Sequence, residues 1–143
     1  MLVSVIIPMY NAEKYLDNLY ASLQYQEYDN LEIIFVDNNS QDHSYEKACF
    51  FAKNDPRVRV LKEPTQGVSY ARKKGFHASN GEYLYFIDSD DCVAPNGISY
   101  LVETAIKTNA DIVEGNYNTY LNDHQLATIV RRSVEKSPYS KWE

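Results

Sequence analysis

Four short runs of β-branched and aromatic residues, each followed by a stretch with helical spacing, constrain this chain more than any other feature. Val3-Ser4-Val5-Ile6-Ile7-Pro8 has the pattern of a buried strand ended by a proline. Asn11 is placed to cap a helix in which Leu16, Leu19 and Leu23 form one apolar face. Leu31 to Val36 reads as a second strand, stopped by Asp37-Asn38-Asn39-Ser40. Ser40 is placed to cap a second helix, with Tyr45, Ala48, Cys49 and Ala52 on its inner face. Val58 to Leu61 forms a short third strand, and Gly67 opens a helix carrying Val68, Ala71, Gly75 and Ala78 along one side. The small residues on that side let the helix lie close to a sheet. Asn80-Gly81 is a turn signal, and Tyr83 to Ile87 makes a fourth strand running straight into Asp88. After Pro95, Ile98, Leu101, Val102, Ala105 and Ile106 trace an amphipathic helix, and Ala110-Asp111-Ile112-Val113 starts a fifth strand. Beyond Tyr120 the pattern weakens and assigns no element.

Strands alternating with helices predict an α/β fold, a mostly parallel sheet with helices on both faces. Ligands of such sheets bind beyond the carboxyl ends of the strands. Pro8, Asp37 and Asp88 each end a strand, so three separate segments are expected to converge on one edge. The 143 residues, with no repeat or linker, fit a single domain spanning 1–143. A net charge of −6 argues against a chain that neutralises nucleic-acid phosphates. The longest apolar stretch, Val3 to Tyr10, is too short to span a bilayer, and no cleavable secretory signal is read at the start. Cys49 and Cys92 make no disulfide framework; Cys49 is expected to be a small buried hydrophobe. These features predict a cytoplasmic location.

The most chemically loaded segment is Asp88-Ser89-Asp90-Asp91. In an extended chain residues two apart point the same way, so Asp88 and Asp90 can face one site. Carboxylates that close raise one another's pKa unless a cation holds them ionised. Mg²⁺ or Mn²⁺ fits, since such ions take one or two carboxylates and fill their shell with water and phosphate oxygens. Taken alone, the segment reads first as a solvated turn capping the next helix; its place at a strand's carboxyl end shifts the reading toward function. A receiver domain, which also gathers acids around Mg²⁺, needs paired acids where Pro8-Met9-Tyr10-Asn11 stands and a phosphoacceptor aspartate where Lys62-Glu63-Pro64 stands. No glycine-rich phosphate loop is present, so metal and basic side chains would have to hold any diphosphate.

Together these segments resemble a family 2 glycosyltransferase of the Rossmann-like GT-A fold over roughly residues 2 to 115. Ser4 to Asn11 resembles that family's first strand and nucleotide loop, and Glu32 to Asp37 its second strand. Gly67-Val68-Ser69-Tyr70-Ala71-Arg72 with Gly75 resembles its glycine-alanine-arginine helix. Gly81 to Asp91, followed by Pro95, resembles its DXD segment. The resemblance implies that Pro8, Tyr10 and Asn11 border the donor nucleotide, with Tyr10 stacking on a uracil ring. It implies that Asp37 accepts the base imide N–H and that Arg72 stands near the diphosphate. It also places Asp88 near the ribose and the metal's water shell and Ser89 at the donor nucleotide, and makes Asp90, with Asp88, the metal ligand. The chain departs from the family in having Asn38-Asn39 where Asp-Gly is usual, and Lys73 where asparagine is usual. Asn39 tolerates left-handed backbone angles and is expected to serve for the glycine.

The implied reaction is inverting, metal-dependent transfer of a sugar from a UDP-sugar to an acceptor hydroxyl, in bacterial-type polysaccharide or glycoconjugate synthesis. The implied acceptor is a saccharide or a lipid-linked one, the latter consistent with a peripheral position at the cytoplasmic membrane face. The general base usually lies well beyond the DXD segment in such enzymes. Glu114 is the nearest late carboxylate, and the base is expected beyond Glu143, the chain being short at its C-terminus. The competing expectation is a non-catalytic nucleotide-binding or interaction module, or an inactive fragment.

Overall fold

The computed structural model of the chain describes residues 1–121 and 124–129. It comprises two compact units, Met1–Pro95 and one beginning at Asn96. The first unit runs β1 (Val3–Met9), α1 (Glu13–Gln24), β2 (Leu31–Asp37), α2 (Ser44–Asn54), β3 (Val58–Lys62), α3 (Val68–Ala78) and β4 (Tyr83–Phe86). Its four strands form one sheet in the order β3-β2-β1-β4, with every neighbouring pair parallel. The α/β fold with a parallel sheet is therefore as the sequence implies.

Every residue of β1 and β2 is buried because both faces of these central strands are covered. On one face Ile34, Val36 and Ala71 pack together with Leu61. Here α3 lies so close that a Cβ on Gly75 would collide with the Ile6 side chain and come within 3.3 Å of Val36 Cγ2. On the other face Phe51 of α2 packs 5.9 Å from the Phe35 ring and stacks at 4.1 Å on Tyr20 of α1. Leu16, Leu19 and Leu23 are buried, as their spacing predicts.

Several expected boundaries shift. Asn11 does not cap α1, nor does Ser40 cap α2; the two helices cap one another. The Ala12 and Glu13 N–H groups donate to Ser44 Oγ at 2.8 Å and Asp42 Oδ2 at 3.0 Å. In return, the His43 N–H reaches Glu13 Oε2 at 3.2 Å and Lys47 Nζ the Glu13 carbonyl at 3.0 Å. Each such cap is typically worth about 1 kcal/mol. The buried face of α2 is Ser44, Ala48 and Phe51, with Tyr45, Cys49 and Ala52 only half-buried, because the large Phe51 takes the inward position against Phe35 and Tyr20.

The second unit holds α4 (Gly97–Thr108), then β5 (Tyr117–Leu121) and β6 (His124–Ile129) paired antiparallel. α4 buries Ile98, Val102 and Ala105 and ends where Asn109 turns left-handed at φ 50°. The Ala110 N–H then bonds back to the Ala105 carbonyl at 3.2 Å, satisfying an end-of-helix acceptor. The expected strand at Ala110–Val113 is not one: the segment has no ladder partner among the described residues, and Ile112 is 66% exposed.

Candidate functional site

Strand register assembles the carboxyl edge of the sheet. Met9, Asp37 and Lys62 stand abreast on β1, β2 and β3. Ile6 pairs with Phe86, and the Ile87 N–H bonds to the Ile6 carbonyl at 3.2 Å, so Asp88 leaves β4 near the level of Pro8. The three strand ends expected to converge do so, with Arg72 of α3 beside them: its Nη2 lies 2.7 Å from Asp88 Oδ1.

Each side chain carries a different environment. Tyr10, 52% exposed, leaves the end of β1, while Pro8 is buried within the strand. Asp37 is 5% exposed, and among the described residues its Oδ1 accepts only a long 3.4 Å bond from the Ser40 N–H. Beside it Lys62 Nζ sits 3.7 Å from the centroid of the Tyr45 ring. Asn11, at φ 49°, joins two loops: its N–H donates to Ser40 Oγ at 3.1 Å and its Oδ1 accepts the Gln41 N–H at 2.7 Å. Its carbonyl-side atom is thereby committed within the protein.

Asp88 and Asp90 are exposed, Ser89 is half-buried, and the Asp91 N–H closes a turn on the Asp88 carbonyl at 3.1 Å. The Asp91 carboxyl is raised above its usual value, by partial desolvation and then by repulsion from Asp90 and Asp88. The Arg72–Asp88 pair, 42% and 54% exposed, contributes at most about 1 kcal/mol to the fold. Its arginine also keeps a buried Nε with no hydrogen-bond partner among the described residues. A buried donor left open beside an exposed ion pair is poorly explained as a stability device.

Among the described residues no three Asp, Glu, His or Cys side chains form a ready-made metal cage. The carboxylates present, Asp88 and Asp90 with Asp91 behind them, instead suit a hard cation that brings water and phosphate oxygens as its other ligands.

Sequence reasoning missed what Asn38 does. Its buried side chain donates from Nδ2 to the Glu63 and Thr65 carbonyls at 2.9 and 2.7 Å and accepts the Gly67 N–H at 2.7 Å. The substitution of an amide for the usual carboxylate was the available signal, since an amide both donates and accepts whereas an ionised carboxylate only accepts. Asn39 stands left-handed at φ 64°, as expected of a glycine substitute, and its Nδ2 donates to the Pro64 carbonyl.

Comparison with known proteins agrees with this fold. The family model described as glycosyl transferase family 2 matches residues 4–140. Glycosyltransferase GlyG of Streptococcus pneumoniae is 41% identical over 120 residues, covering 83% of this chain and 40% of GlyG. The Escherichia coli UDP-Glc:alpha-D-GlcNAc-diphosphoundecaprenol beta-1,3-glucosyltransferase WfgD is 30% identical over 141 residues, covering 98% of this chain and 54% of WfgD. The crystal structure of Staphylococcus aureus TarS 1-349 in complex with UDP superposes with a TM-score of 0.70 at 27% identity, over 78% of this chain and 34% of that one. This chain thus spans well under two thirds of each of these relatives. With the family model matching almost end to end and the fold agreeing, the chain belongs to glycosyl transferase family 2.

Proposed function

We propose that the chain is the donor-binding part of an inverting, metal-dependent glycosyltransferase that uses a UDP-sugar. The observation that carries this reading is the convergence of Asp37, Arg72 and Asp88 with its acidic neighbours on one sheet edge, with the Arg72 Nε open. The relatives add support, since TarS was crystallised with UDP and with UDP-GlcNAc, and WfgD is named for UDP-Glc.

In this reading Asp37 accepts the uracil imide N–H, a contact cytosine cannot supply, and the exposed Tyr10 ring stacks on the base. Pro8 and Asn11 shape that pocket from the β1 loop. Arg72 exchanges its bond to Asp88 for the diphosphate, to which its fork is suited. Asp88 and Ser89 then serve the ribose side, and Asp90, with Asp88, would hold Mn²⁺ or Mg²⁺. When bound, that ion supplies Lewis-acid neutralisation of charge on the leaving diphosphate. In the transfer itself the acceptor oxygen bonds to the anomeric carbon as the bond to the diphosphate breaks, and the acceptor proton passes to a general base. We assign that base, and the saccharide or lipid-linked acceptor's contacts, to the portion of the relatives that this chain does not span. Its bacterial relatives favour polysaccharide or glycoconjugate synthesis, at the cytoplasmic side where nucleotide sugars are available; no described helix is long and apolar enough to cross a membrane.

Binding without transfer is therefore the expectation for this chain by itself. Thermal shift with UDP, GDP and dTDP, each with and without Mn²⁺, tests the reading. UDP with Mn²⁺ should give the largest rise in melting temperature, and no response to any nucleotide would sink the donor site.

A further inference from the structure

We propose that Asn38 is a positioning residue of the donor site, setting the span between Asp37 and Arg72. The inference rests on the donor reading above and deepens it. Asn38 follows Asp37 directly, and its own N–H is fixed by the Met9 carbonyl at 2.9 Å. Its side chain, 3% exposed, then holds the loop leading to α3 at three points: the Glu63 carbonyl, the Thr65 carbonyl and the Gly67 N–H.

Gly67 is the joint. It stands at φ 134°, closed to most side chains, and its carbonyl accepts the first-turn N–H groups of Tyr70 at 3.0 Å and Ala71 at 3.3 Å. Arg72 follows one residue later on the same turn. Asp37 is tied into the same frame through its carbonyl, which accepts the Glu63 N–H at 2.8 Å. Asn39 adds a parallel strut to Pro64. One amide therefore couples the carboxylate proposed for the base to the cation proposed for the diphosphate. An ionised carboxylate in its place would still accept the Gly67 N–H but would leave the Glu63 and Thr65 carbonyls of this loop without a donor.

The test compares uridine, which reaches only the base and ribose contacts, with UDP, which also needs Arg72. Affinities for both ligands, with Mn²⁺, are measured on the wild type, Asn38→Asp and Asn39→Gly well below their melting temperatures. Asn38→Asp should weaken UDP by about tenfold or more, as expected for a buried pair of unmet acceptors, while uridine changes far less. Lowering the pH should narrow the UDP gap to wild type, because a protonated carboxyl regains one donor. Asn39→Gly keeps the left-handed backbone and should show the same split, about two- to threefold; it also keeps the test open should Asn38→Asp fold poorly. Equal losses for uridine and UDP, or unchanged UDP affinity in either folded variant, would overturn the positioning role alone. A wild type that binds no UDP would instead overturn the donor reading and this inference with it.

Discussion

The two rims of the parallel sheet treat their charges in opposite ways. At the amino rim Glu32 is buried and fully engaged: it accepts bonds from Ser4 Oγ, the Asn80 N–H and Asn80 Nδ2, and faces Arg59 Nη1 at 3.4 Å. Arg59 in turn donates to the Ala78 carbonyl at 2.8 Å, and Ser4 Oγ accepts the Gly81 N–H at 2.8 Å. That network pins the turn from α3 into β4. At the carboxyl rim the ion pair is half-exposed, an arginine donor is open, and Asp91 is pushed toward its neutral form by partial burial and then by the charges of Asp90 and Asp88. Polar groups spent on folding are satisfied within the protein, while those kept for a ligand are left with capacity to spare.

If that contrast is right, substitutions at the two rims should separate binding from stability. Asp90→Ala should abolish the Mn²⁺-dependent part of UDP binding. That loss should exceed the roughly 10–100-fold typical of removing an outer-shell partner of a metal. Chemical denaturation should place its stability within about 0.5 kcal/mol of wild type. Glu32→Ala should do the reverse. Leaving the Asn80 and Ser4 donors without their acceptor should cost about 2 kcal/mol in urea denaturation, with UDP affinity of the folded protein unchanged. Equal effects on both readouts for either variant would erase the distinction between rims.

Arg72→Lys sharpens the comparison. It keeps the charge but loses the fork and the open Nε, so titration calorimetry should show UDP affinity falling about tenfold with little change in stability. The smallest effect is in acid. Burial alone would raise the Glu32 carboxyl, but the bonds from Ser4 and Asn80 and the charge of Arg59 hold it below its usual value. Its contribution is thus complete above the unfolded carboxylate range and is lost as pH falls through the lowered folded value. Asp55, lowered first of all by its bond from Arg57, acts in the same direction. Urea midpoints should therefore fall on acidification below about pH 4.5, and less steeply in Glu32→Gln.

The sheet was legible because strands buried on both faces write themselves as nearly continuous apolar runs, and those of β1 and β2 are buried throughout. The site's frame was legible for a related reason: parallel strands bring their carboxyl ends to one edge, and Pro8, Asp37 and Asp88 met there. The helix starts were not, because α1 and α2 are capped by each other's loops rather than by Asn11 or Ser40. A cap supplied from about thirty residues away has no local signature. The same distance hid Asn38, whose partners lie 25, 27 and 29 residues on. Ala110–Val113 misled because apolar spacing marks a segment able to form a strand, whereas pairing needs a neighbour it does not have among the described residues.

Calorimetric titration of UDP into the wild-type chain, with Mn²⁺ and again with the metal chelated, tests the donor site most directly. Saturable one-to-one binding should weaken markedly on chelation and become metal-independent in Asp90→Ala. No binding, or binding indifferent to both the metal and Asp90, would contradict a donor site at the carboxyl rim.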